Sequence, residues 1–222
     1  SGGDLVISTA GAARIGNLVF SDGDLVRYNR ATGVATLLLS EELFSGPSDI
    51  DAVHVVESGG QVTRLILSTD GPGTIRGVAY DDGDLIEIDN PNLSGGRLGA
   101  GATVSRYLSE AVFAVGGVEG DPTENIDAVS LVPDGAEQAV VLSTGSGAAF
   151  INDLGSSFQN GDVVRLSGGG NELGSGTIDV DAELTLLFEE DPQLEHVPLG
   201  AIVDGSLTTK NVRGRLELTL AG

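Results

Sequence analysis

Phe20-Ser21-Asp22-Gly23-Asp24-Leu25-Val26 returns twice along the chain, as Tyr80-Asp81-Asp82-Gly83-Asp84-Leu85-Ile86 and as Phe158-Gln159-Asn160-Gly161-Asp162-Val163-Val164. Each copy joins an aromatic residue to an apolar strand through a tight Asp/Asn-Gly-Asp turn, where Gly and Asn tolerate a positive φ. Upstream of each lies an apolar strand ending in Ser-Thr: Leu5-Val6-Ile7-Ser8-Thr9, Leu65-Ile66-Leu67-Ser68-Thr69 and Val140-Val141-Leu142-Ser143-Thr144. The distance from that Ser to the last Asp of the turn is 16, 16 and 19 residues. Shared order and near-equal spacing mark an internal repeat, and repeats are settled before any fold is assigned.

A third signature occurs intact twice, as Asp49-Ile50-Asp51-Ala52-Val53 and Asn125-Ile126-Asp127-Ala128-Val129. Its next occurrence is expected near His196-Val197-Pro198-Leu199-Gly200, where the acidic pair is gone. Leu216-Glu217-Leu218-Thr219-Leu220 then lines up with the Ser-Thr strand, so both ends of the chain carry the same element. The repeat units run approximately over 5–64, 65–139 and 140–222 within a single domain, 1–222.

Each unit reads as about four strands. Leu25-Val26-Arg27-Tyr28 and Val34-Ala35-Thr36-Leu37-Leu38-Leu39 flank one hairpin connection, and Ala52-Val53-His54-Val55-Val56 and Val62-Thr63-Arg64-Leu65-Ile66-Leu67 flank another. Several strands are continuously apolar, as expected where both faces are covered. The units differ by insertion: the turn Asp and the Ile-Asp-Ala-Val strand are 27 residues apart in the first unit and 43 in the second. The added residues, around 92–102 and 116–124, are Gly-rich and polar and read as surface loops. Residues 103–115 have a partly helical apolar period, but they align with Leu37-Leu38-Leu39 and are expected to be strand. The fold class is therefore all-β, with three diverged repeats arranged like a propeller or a prism. A β-sandwich or jelly roll would use the same strands.

Composition narrows the function classes. With 33 acidic residues against 11 basic ones, the formal net charge is −22. No basic patch exists to release counterions from nucleic acid or to hold an anionic membrane. The absence of Cys excludes disulfides, zinc–thiolate sites and cysteine nucleophiles. No stretch approaches the roughly 20 apolar residues needed to cross a bilayer as a helix. The chain opens Ser1-Gly2-Gly3 without Met, as expected where an initiator or a signal peptide has been removed, and this fits a mature exported protein.

The run Asp-Ile-Asp-Ala-Val-His-Val-Val from Asp49, Leu-Ile-Leu-Ser-Thr-Asp-Gly from Leu65 and Gly-Val-Ala-Tyr-Asp-Asp-Gly-Asp-Leu-Ile from Gly77 resembles the β-propeller-like repeats of large exported bacterial surface proteins. The resemblance covers most of the chain from Leu5 onward, and the third unit departs from it by losing the acidic pair. It implies an exported, repetitive, non-enzymatic protein, secreted or at the cell surface, and carries no catalytic residue with it.

Divalent cation binding is the chemistry the residues best support. Calcium takes several hard oxygen ligands from carboxylates and carbonyls in flexible loops. The candidates are Asp22 and Asp24, Asp49 and Asp51, and Asp81, Asp82 and Asp84, with Asp179 and Asp181 as a further pair. The competing explanation is that these side chains only brace turns through local backbone hydrogen bonds. Other chemistry has little to stand on. His54 and His196 are the only imidazoles, neither beside a Gly-x-Ser-x-Gly elbow, and Ser167-Gly168-Gly169-Gly170-Asn171 lacks the Lys of a phosphate cradle. Phe20, Tyr80 and Phe158 occupy equivalent positions and read as shared core packing. The expected function is thus a non-enzymatic extracellular structural protein that assembles head-to-tail with itself through its terminal strands. The alternative is a calcium-dependent module that binds a cell-surface polysaccharide or protein.

Overall fold

A computed structural model describes residues 4–46, 49–109, 113–115, 118–119, 125–135, 137–145, 148–150, 157–158, 161–167 and 183–188. The expected strands at His196 and Leu216, the Asp179–Asp181 pair and most of the 116–124 insertion lie outside them. Among the described residues every regular element is a strand except one 3-10 turn, Glu41–Leu43.

The first sheet is formed by β1 (Leu5–Ile7), β4 (Leu25–Asn29) and β5 (Val34–Leu39), in the order β1-β4-β5. The second contains β7 (Ile50–Ser58), β8 (Gln61–Thr69), β11 (Leu85–Asp89) and β12 (Thr103–Leu108), in the order β7-β8-β11-β12. The third contains β15 (Ile126–Asp134), β16 (Glu137–Thr144), β19 (Val163–Ser167) and β20 (Glu183–Phe188), again in sequence order. All are antiparallel meanders. The two hairpins expected from sequence are formed, and 103–108 is strand.

Between the Ser-Thr strand of each meander (β1, β8, β16) and the strand that follows it in the sheet, the chain makes a small ribbon. These are β2 (Ala13–Ile15) with β3 (Leu18–Phe20), β9 (Gly73–Ile75) with β10 (Val78–Tyr80), and β17 (Ala148–Phe150) with β18 (Ser157–Phe158). The ribbon of the second sheet gains β6 (Phe44–Ser45), and that of the third gains β13 (Phe113–Val115), with β14 (Val118–Glu119) beyond it. Each outer strand thus passes through a neighbouring ribbon before entering the next sheet.

Side-chain alternation shows how the sheets sit. On β8, Leu65 and Leu67 join one apolar cluster with Leu25, Leu39 and Phe44, while Ile66 joins another with Leu131, Val140 and Val164. The period of two along a strand sends alternate residues to opposite faces. The second sheet therefore lies between the first and the third, covered on both sides, which accounts for its continuously apolar strands. Leu65, Ile66 and Leu67 are all fully buried. Burying each such side chain is worth about 1.5–3 kcal/mol. The phase of the repeat in space differs from that in sequence: β7 closes the first sequence unit but is the first strand of the second sheet. Sheets cut the chain at the hairpins because that is where antiparallel partners meet.

No strand pairing joins one described sheet to another, so neither a closed barrel nor a propeller is formed among the described residues. Two β-bulge positions recur. One follows the turn, at Leu25/Val26, Leu85/Ile86 and Val163/Val164; the other falls at Ile50/Ala52 and Ile126/Ala128. The second leaves Asp51 and Asp127 without a cross-strand partner, and bulges characteristically re-aim such a side chain.

Among the described residues the first sheet has three strands and the other two have four. β8 and β16 pair on one side with β7 and β15 among the described residues, while β1, their counterpart, pairs there with β4 alone. Leu5 is 44% exposed where its counterpart Leu65 is 0% exposed.

Candidate metal centre

The two aspartates of each Asp-Gly-Asp turn have different work. Asp24 is buried, and its carboxylate accepts the Ser21 amide through Oδ2 and the Glu41 amide through Oδ1, both at 2.9 Å. Asp84 is buried as well; its Oδ2 accepts the Asp81 amide at 2.9 Å and faces Arg106 Nε at 2.9 Å. Asp162, in the third copy, is buried too. In the first two copies the last Asp of the turn is thus a brace that satisfies backbone amides. Asp24 also ties the β3–β4 turn to the 3-10 turn at Glu41.

That brace brings other carboxylates together. Asp22, in the turn, Glu41, opening the 3-10 turn, and Asp49, just before β7, place one carboxylate oxygen each within 4.8 Å of one another. All three are half-buried. Asp49 is positioned by reciprocal bonds with the end of β8: its amide donates to Asp70 Oδ1 at 2.7 Å, and the Asp70 amide donates to the Asp49 carbonyl at 3.0 Å. The cluster bridges the first and second sheets. Burial raises the pKa of Glu41, with Asp22 next, Ser21 opposing, and Asp24 and Asp49 adding to it. Burial also raises Asp49, reinforced by Asp70 and Asp22. A site that strains against its own negative charge is one a cation relieves. The spacing suits calcium, whose oxygen ligands sit at about 2.3–2.6 Å and so about twice that apart across the ion.

Of the candidates read from sequence, the structure unites Asp22 and Asp49. Asp51 lies on the bulge of β7, where its Oδ2 accepts Asn125 Nδ2 at 2.8 Å. Burial raises its pKa, Asn125 opposes, and Asp70, Asp127 and Asp49 add to the rise. Asp82 holds the position matching Asp22, and Asp81 is exposed beside it. In the second-to-third sheet junction Asn125 replaces Asp49 and Gly145 replaces Asp70, although the Gly145 amide keeps the bond to the Asn125 carbonyl at 2.8 Å. The backbone is preserved there and the acid is not. Glu41 lies 17 residues beyond Asp24, outside the three signatures read from the sequence; the recurrence of Leu39-Ser40-Glu41 as Leu108-Ser109-Glu110 is the signal that points to it.

Beside the cluster is a polar cleft of about 320 Å³, lined by Ser21, Asp24, Ser40, Glu41, Glu42 and Arg97. Arg97 comes from the insertion of the second unit, which folds back over the first sheet: Ser40 N donates to Gly96 O at 2.9 Å. Arg76 clamps that insertion by donating to the carbonyls of Ala102, Leu98 and Gly99. His54 is half-buried on β7, its pKa lowered by burial and then by Arg64. Phe20, Tyr80 and Phe158 are all buried.

Comparison with protein-family models, with curated proteins and with solved structures returns no match. No helix among the described residues is long and apolar enough to cross a membrane.

Proposed function

We propose that this chain is a non-enzymatic, exported structural protein whose repeats form successive layers of a stack and whose copies assemble end to end at a cell surface or in the extracellular medium. The observation that carries this reading is the stacking of like antiparallel sheets, the second covered on both faces by the first and the third. Such a quasi-one-dimensional architecture favours the addition of further layers. The resemblance to repeats of exported surface proteins points the same way. Light scattering with negative-stain microscopy, with calcium and with chelator, tests it: ordered polymers support the assembly, and a monomer in both conditions overturns it.

A second reading is favoured by the Asp22, Glu41 and Asp49 cluster beside its polar cleft: a calcium-dependent module for a polysaccharide or protein. Calorimetric titration of calcium, followed by a glycan screen with and without the ion, separates it from the first.

A further inference from the structure

We infer that the junction between the second and third sheets holds a monovalent alkali cation, ligated by Asp51, the side-chain carbonyl of Asn125 and the hydroxyl of Ser68. The three residues come from separate strands at the same end of their sheets: Asp51 from the bulge of β7, Ser68 from the end of β8, and Asn125 from the position before β15. β15 packs against both β7 and β8. Ala52, Ile66 and Ile126 share one apolar cluster in that junction. Ser68 follows Ile66 by two positions and pairs with Ala52, so the pleat turns its side chain to the same face, toward the start of β15.

Two oxygens are enclosed there without a partner. Ser68 is 0% exposed, and its Oγ has no hydrogen-bond partner among the described residues. Asn125 Oδ1 is likewise enclosed and unpartnered among them. The orientation of that amide follows from its other end. Nδ2 donates to Asp51 Oδ2 at 2.8 Å, and turning the group over would set a carbonyl oxygen against a carboxylate. Oδ1 is therefore an acceptor left without a donor. Buried polar atoms of this kind are rare and costly, and a bound ion is one of the few things that explains them. Ser8, the counterpart of Ser68 in the first sheet, has an enclosed Oγ that also lacks a partner among the described residues, so the hydroxyl recurs with the repeat.

A carboxylate, an amide carbonyl and a hydroxyl are hard oxygen donors, the set that alkali and alkaline-earth ions take. Charge decides between the two classes. This set carries one formal charge where the Asp22, Glu41 and Asp49 cluster carries three, which matches a single positive charge here and a double one there. Asp51 also stands in the negative field of Asp70, Asp127 and Asp49, which a cation at this place relieves. Asp51 is exposed, which leaves the ion a way in. The cation pins the second sheet to the third, a role that does not depend on the end-to-end assembly of copies.

The test is thermal unfolding of the full chain in chelator, in sodium or potassium chloride and in tetramethylammonium chloride of equal ionic strength, whose cation is too bulky for such a site. The unaltered chain should melt about 2–4 °C higher in an alkali salt. The gain should persist in Asp22→Asn, which alters only the first junction, and disappear in Ser68→Ala. In tetramethylammonium chloride Ser68→Ala should melt no lower than the unaltered chain, because it removes a buried hydroxyl with nothing to bond; the same scan shows that the variant folds. A gain that survives in Ser68→Ala would reduce the effect to screening of the −22 net charge and overturn the site. A gain lost in Asp22→Asn instead would move the ion to the first junction, and equal melting of the unaltered chain in all three salts would leave no ion to place; either overturns the inference. So does a Ser68→Ala loss of the same size in every salt, which would assign the hydroxyl to a buried water.

Discussion

Asn125 reaches from the start of β15 to the bulge of β7 and donates its amide hydrogen to Asp51 Oδ2 at 2.8 Å, joining two stacked sheets. It occupies the position held by Asp49 one unit earlier, so a single oxygen-for-nitrogen exchange separates a carboxylate cluster from a neutral interlayer clamp. Burial raises the pKa of Asp127 beside it, as it does that of Asp51. Asn125→Asp is therefore expected to destabilise the chain at neutral pH by about 0.5–1 kcal/mol, the worth of one solvent-accessible hydrogen bond plus like-charge repulsion. The loss should shrink as the pH approaches 4. Chemical denaturation at both pH values checks this, and a pH-independent loss would contradict it.

Glu41 and Asp49 take up protons more readily in the fold than in the unfolded chain, because their pKa values are raised. Their ionised forms thus oppose folding. Without cations, their contribution should favour the fold as pH falls from neutrality through the raised values, the relief being complete below the ordinary carboxylate range of about 4. In Glu41→Gln and Asp49→Asn the melting temperature should be higher at pH 7 without calcium and should depend less on pH between 7 and 5. Thermal scans in chelator measure both.

Calcium should raise the melting temperature of the unaltered chain, because it binds the folded arrangement of Asp22, Glu41 and Asp49. The shift should vanish in Asp22→Asn and persist in Asp82→Asn, whose junction has Asn125 and Gly145 in place of two acids. Equal shifts in both variants would mean that the ion sits elsewhere.

Asp84→Ala removes a fully buried carboxylate that braces the Asp81 amide and faces Arg106. Arg106 is 35% exposed on its side chain and can recover water, so the expected cost is about 2–4 kcal/mol, below that of a wholly buried pair. Asp81→Ala, three positions earlier in the same turn and exposed, should stay within about 0.5 kcal/mol of the unaltered chain. Urea unfolding of the pair separates the braces from the surface acids.

Gly73→Ala should destabilise by about 1–3 kcal/mol. A Cβ there would lie 2.6 Å from the Ser45 carbonyl oxygen, a backbone atom that cannot swing aside, as well as against the Tyr80 hydroxyl. The Phe44–Tyr80 edge-to-face contact, with centroids 6.2 Å apart, sits beside it and should loosen. The near-ultraviolet tyrosine signal reports that change.

By itself the sequence determined the strands. Leu25-Val26 after a Gly-Asp turn, or Ile50 to Val56 before a Gly-Gly turn, has one favourable backbone state, because β-branched and apolar residues pack on a pleated surface and Gly alone relaxes into the positive φ of the turn, 60° at Gly59 and 79° at Gly60. It also revealed the repeat, since equal spacing of those signals survives divergence. What only the tertiary structure decided is which strands share a sheet, which faces meet, and which aspartate does what. Asp22 and Asp24 are alike in a sequence, yet one lies beside Glu41 and Asp49 and the other is buried against two amides. Local preference acts over a few residues, whereas a carboxylate's role depends on groups 17 to 27 positions away that packing alone brings within reach.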